Sequence, residues 1–152
     1  MLLGCPLLRT LVIKYDGKPT FARAMRANYK DPKPLISPFF LESLSAILLR
    51  PTVPLPHLQS LTFYLLCTVE SLGICGDAWS ALAQAVGDKS RYPDFTSLAV
   101  GFEEMTHYGG SMLLDGYDPD VRVGAARGLF TAFEKAGVDV AISARTSRHF
   151  LL

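Results

Sequence analysis

The chain has 152 residues, with hydrophobic residues at 49%, charged residues at 19% and a formal net charge of +1. That length suffices for one core or for three or four stacked repeat units. The near-neutral charge removes the electrostatic case for nucleic acid or an anionic membrane surface, and no apolar run approaches the length of a membrane-spanning helix.

In chain order, the first element is a short strand over 8–14, where Leu11 and Ile13 alternate with Thr10, Val12 and Lys14. Residues 15–36 carry Gly17, Pro19, Pro32 and Pro34 and are expected to form a long loop. Ser37-Pro38 is a helix start, with Ser as N-cap and Pro in the first helical position. Leu41, Leu44, Ile47 and Leu48 make its apolar stripe, and Pro51 and Pro54 end it. A second strand over 58–64 follows. Asp77 is the expected N-cap of the next helix, Trp79, Leu82, Ala83 and Val86 its buried stripe, and Gly87 its stop. A third strand covers 95–101, and a Gly-rich stretch over 102–118 is expected to be a second long loop. Asp118-Pro119 opens the last helix, with Val123, Ala126, Leu129, Phe130 and Phe133 facing the core and Gly137 closing it. Val138, Val140 and Ile142 form the fourth strand. Helices alternating with short strands imply right-handed crossovers and a parallel sheet.

Three of the strands share a motif. Pro6-Leu7-Leu8-Arg9-Thr10-Leu11-Val12-Ile13, Pro56-His57-Leu58-Gln59-Ser60-Leu61-Thr62-Phe63 and Pro93-Asp94-Phe95-Thr96-Ser97-Leu98-Ala99-Val100 each place apolar residues two, five and seven positions after Pro. Repetition of one supersecondary unit at this scale indicates stacked repeats. The expected fold is therefore α/β, a short leucine-rich-repeat-like solenoid over 1–152, with parallel strands in sequential order and helices on the convex side. The alternating residues then form columns on the concave side: Thr10, Ser60, Ser97 and Asp139; Val12, Thr62, Ala99 and Ala141; Lys14, Tyr64, Gly101 and Ser143. Small side chains there admit a partner's backbone. Lys14, Tyr64, Thr62, Ser60 and Ser97 are the expected partner-binding residues.

The repeat resembles a degenerate leucine-rich repeat, and the nearest likeness is to the C-terminal repeat regions of fungal F-box proteins. It rests on segments such as Gly4-Cys5-Pro6-Leu7-Leu8-Arg9-Thr10-Leu11 and Leu55-Pro56-His57-Leu58-Gln59-Ser60-Leu61, with a late Ala-Gly-Val strand at Ala136-Gly137-Val138. The resemblance implies a substrate-binding repeat region of a ubiquitin ligase adaptor, with a protein partner and no cofactor. Two departures stand out. The usual ladder position reads Asp16, Leu66 and Glu103, so no side-chain ladder is expected between turns. No F-box segment precedes the first strand here, so a piece of a longer solenoid is expected.

Catalytic signals are sparse. The odd Cys5, Cys67 and Cys75 form no Cys-x-x-Cys pair, which argues against a zinc site or disulfide framework and for reduced thiols in an intracellular compartment, cytoplasmic or nuclear. His57 sits in a turn, where a solvated role is expected, and Trp79 sits on a helix stripe, where core packing is expected. Glu103-Glu104 is the paired carboxylate; neighbours on a strand point to opposite faces, so a solvated loop edge is the expectation. Tyr108 and Tyr117 fall in the Gly-rich stretch, where loop self-packing is favoured over a role as contact anchors. No Gly-x-Ser-x-Gly, phosphate loop or Gly-x-Gly-x-x-Gly occurs, and neither a metal site nor a small-molecule substrate is expected. Non-catalytic protein recognition is thus the expected function. The competing readings are a small α/β enzyme using Asp16, Glu103 and His107 at the C-terminal strand ends, and a fragment without independent function.

Overall fold

The computed structural model describes residues 5–15, 38–105 and 117–147. The elements are β1 (Thr10–Tyr15), α1 (Pro38–Leu48), β2 (Ser60–Leu66), α2 (Val69–Ile74), α3 (Gly76–Gly87), β3 (Ser97–Met105), α4 (Pro119–Arg127), a 3-10 turn (Gly128–Phe130), α5 (Thr131–Lys135) and β4 (Asp139–Ser147). The four strands form one parallel sheet in the order β1-β2-β3-β4. The architecture is therefore α/β with a sequentially ordered parallel sheet.

The Pro motif has a clear local cause. In Cys5–Leu8, Leu55–Leu58 and Tyr92–Phe95 the last residue's N–H donates to the first residue's carbonyl at 3.0, 3.0 and 3.3 Å. Each Pro is thus the second residue of a β-turn, where its fixed φ is already the one required. The turns also join each unit to the next. Arg9 O accepts from Gln59 and Ser60 N–H, Gln59 O accepts from Thr96 and Ser97 N–H, and Thr96 O accepts from Asp139 N–H. The fourth strand reaches the same register without Pro. Gly137, at φ 79°, lets the chain leave α5 in the left-handed conformation that β-carbon-bearing residues avoid. Val138 N–H bonds Phe133 O and Gly137 N–H bonds Glu134 O, which is a Schellman ending.

The register stacks Leu11, Leu61, Leu98 and Val140 in one column and Ile13, Phe63, Val100 and Ile142 in the next. The central members of both columns are buried under the helices. Trp79 lies at their middle, edge-on to Phe63 at 5.1 Å and to Phe130 at 5.0 Å. It is fully buried, as its stripe position implied. Leu41, Leu44 and Leu48 bury the core face of α1. The third unit caps that helix: Tyr92 OH donates to Leu48 O at 2.6 Å, and the Arg91 guanidinium donates to Leu48 O and Arg50 O. These carbonyls have no intrahelical partner, so the long-range contacts settle them. α3 and α5 approach so closely that a Cβ on Gly87 would lie 2.9 Å from Ala136 Cβ.

Several expectations are corrected. β3 does not stop at 101 but runs through Phe102, Glu103 and Glu104 to Met105, so the supposed loop 102–118 begins as strand. The helix α2 was not anticipated; Thr68 caps it by accepting from Ser71 N–H at 3.1 Å. Asp77 is not an N-cap, because α3 begins at Gly76 and Asp77 lies in its first turn. Asp118 does cap α4, accepting from Asp120 N–H at 2.9 Å. The last helix is interrupted by the 3-10 turn at Gly128, where helix propensity is poor. The loop expected over 15–36 does not begin at Tyr15, which belongs to β1; Ser37 and residues 16–36 lie outside the described residues.

Candidate interaction surface

The side chains facing away from the helices form the columns expected from the sequence. Thr10, Ser60, Ser97 and Asp139 are in register, as are Val12, Thr62, Ala99 and Ala141, and Lys14, Tyr64, Gly101 and Ser143. All twelve keep some solvent exposure, and Val12 and Tyr64 remain 48% and 50% exposed. This open face brings Lys14, Tyr64, Thr62, Ser60 and Ser97 together on one surface.

Neighbouring strands are tied across this face by side chains, which the sequence pattern did not anticipate. Ser60 Oγ donates to Thr10 Oγ1 at 3.0 Å. Glu103 Oε2 accepts from Arg145 Nε at 3.1 Å, with Arg145 Nη2 at 3.0 Å. Tyr64 is held from both sides. Lys14 Nζ stands 5.7 Å from its ring centroid, within cation–π range. On the other side the ring leans over Gly101, where an added Cβ would lie 3.3 Å from Tyr64 Cδ1 and 3.2 Å from Ser143 Oγ. A β-carbon at 101 would require the ring and Ser143 to give way by a few tenths of an ångström. The row Lys14–Tyr64–Gly101–Ser143 thus presents one aromatic side chain in a set pose. At the turns, His57 Nδ1 and Asp94 Oδ2 are 3.6 Å apart, too far for a hydrogen bond, and both are about half exposed.

The opposite side of the strand ends holds a cluster that sequence reasoning missed. Glu104 follows Leu98, Val100 and Phe102 on the helix-facing side and is 6% exposed, which corrects its assignment to a solvated loop edge. Its Oε1 accepts from Val69 N–H at 3.1 Å and from Arg122 Nη2 at 2.5 Å; its Oε2 accepts from Arg122 Nε at 2.9 Å. Arg122 Nη2 also reaches Glu70 Oε2 at 3.1 Å. One guanidinium therefore joins α4 to the end of β3 and to α2. The hydrogen bonds that Arg122 donates to Glu104 raise the Arg122 pKa and keep it charged. Glu70 is lowered, first by a hydrogen bond to its own backbone N–H and then by Arg122. Burial, followed by the nearby Glu104 charge, pushes the Tyr117 phenol up to about 12. The same two causes, with Cys75 as a third, push the Cys67 thiol up to about 12. The readable signal was parity: position 104 shares its face with Leu98, so a carboxylate there demands a partner.

Chemically, the carboxylate of this cluster is satisfied, while the buried Tyr117 hydroxyl beside it has no hydrogen-bond partner. Both Glu104 oxygens are engaged, Cys67 is held as the thiol, and the arrangement serves to fasten three elements. Glu103, proposed for the enzyme reading, points to the open face and pairs with Arg145, while Asp16 and His107 lie outside the described residues. Tyr108 and His149 also lie outside them. A groove of about 330 Å³ between α3 and α5 is lined by Ala83, Gln84, Gly87, Asp88, Ala132 and Ala136. Its ionisable group, Asp88, already accepts from Ser90 N–H and Oγ–H at 2.9 and 2.6 Å. Among the described residues no group of His, Cys, Asp and Glu is arranged to hold a metal ion.

No protein-family model, curated protein or solved structure matches this chain. No described helix is long and apolar enough to cross a membrane.

Proposed function

We propose that this protein is a non-catalytic protein-recognition module and that the open face of the sheet is its binding surface. The observation that carries the reading is the pose of Tyr64. It is half exposed, flanked by Lys14 and laid over Gly101, at the centre of a face of small residues. Buried aromatic anchors carry a disproportionate share of interface energy, often above about 2 kcal/mol each. A ring already leaning on Gly101 and flanked by Lys14 gives up less entropy on binding than a free one. Ser60, Thr62 and Ser97 supply short hydroxyls around it, and Lys14 supplies a cation over its face.

We further propose that the strand–helix unit is a degenerate leucine-rich repeat in a solenoid. The repeated Pro turns, the carbonyl links between units and the 37–50-residue spacing support that assignment. In this reading the surface selects substrates as the repeat region of an F-box-type ubiquitin ligase adaptor does. Affinity capture with wild type, Tyr64→Ala and His107→Ala tests the proposal. Partners bound by wild type and His107→Ala are expected to be lost from Tyr64→Ala, with all three proteins equally folded by circular dichroism. Equal capture by Tyr64→Ala, or turnover of a small substrate lost only in His107→Ala, refutes it in favour of an enzyme.

A further inference from the structure

We draw no further inference here: the strongest candidate, the exposed apolar patch of Val12, Phe39 and Phe40 at the β1/α1 edge of the sheet, borders residues outside those described, and nothing in the structure shows what covers it.

Discussion

Replacing Glu104 with Gln removes the charge from the cluster that fastens α2, β3 and α4 while leaving a side chain of the same shape. Glu104 accepts three hydrogen bonds, two from Arg122 and one from Val69 N–H. Removing one partner of a buried ion pair typically costs 3–5 kcal/mol, about the sum expected when charged hydrogen bonds are lost. Two features lower that figure. The Arg122 side chain is 29% exposed, so water reaches it, and Glu70 remains at 3.1 Å as a second partner. We therefore expect Glu104→Gln to lose about 2–4 kcal/mol, a large share of the 5–15 kcal/mol of a typical domain. In a thermal melt this is a drop of roughly 5–15 °C for a chain of this size. The control is Glu103→Gln, one residue away. Glu103 pairs with Arg145 on the open face, and Arg145 is 76% exposed, so the expected loss is under about 1 kcal/mol. The double variant Glu104→Leu/Arg122→Met is expected to recover part of the loss, because the one charge it leaves unpaired, Glu70, is 70% exposed, although Val69 N–H loses its acceptor. Equal losses at 103 and 104, or a loss below about 1 kcal/mol at 104, would refute the assignment of Glu104 as a buried fastener.

Other consequences are equally direct. Leu61 is fully buried at the centre of the sheet, and Leu61→Ala is expected to lower stability by about 2–5 kcal/mol through lost transfer energy and a cavity; the denaturant midpoint measures it. Cys67 and Cys75 are buried and Cys5 is exposed, and burial pushes the Cys67 thiol up to about 12. At pH 8 a thiol reagent is therefore expected to modify Cys5 first and to reach Cys67 and Cys75 only with unfolding; fast native labelling of Cys67 would contradict its placement. Glu70 titrates below its ordinary value of 4.5 in the folded chain. Its contribution to stability is thus fully present above that value and is lost as pH falls through the lower, folded one. The stability difference between wild type and Glu70→Gln is expected to be level at neutral pH and to shrink in acid; a difference that widens in acid would reverse the sign.

The sheet could be read from the sequence because its cause is local. Pro sets the second position of each β-turn, and two-residue alternation then fixes which residues face the helices. The columns from Thr10 to Asp139, Val12 to Ala141 and Lys14 to Ser143 follow from that register alone. What escaped depends on distant partners. The Gly-rich composition of 102–118 places the end of β3 at Gly101, yet the strand continues, and Glu104 is made tolerable inside by Arg122, 18 residues later, and by Val69 N–H, 35 residues earlier. α2 is six residues long and contains Gly73, too short for a periodic stripe to show. The break at Gly128 has a weak local signal, and it accompanies the placement of Phe130 against Trp79. Alternation puts Thr10 and Ser60 in one column without fixing that their hydroxyls bond, and the pair Glu103–Arg145 lies beyond the strand ends expected at 101 and 143.

The two sides of the sheet divide the energetics in a way that makes the function separable from the fold. On the helix side, Leu61, Phe63, Leu98 and Val100 are sealed, so changes there alter stability before anything else. On the open side, Tyr64 is half exposed, and its visible supports are a surface cation–π contact of about 0.5–1 kcal/mol and its lean on Gly101. Tyr64→Ala therefore removes little from the folded state while deleting the largest side chain available to a partner. Gly101→Ala works in the opposite sense: it keeps the tyrosine but shifts its ring by a few tenths of an ångström, since the new methyl would sit 3.3 Å from Cδ1. A recognition surface should respond to both changes, because it reads the pose of the ring as well as its presence. If Tyr64 were merely an exposed side chain on an unused face, neither substitution would change any binding measurement.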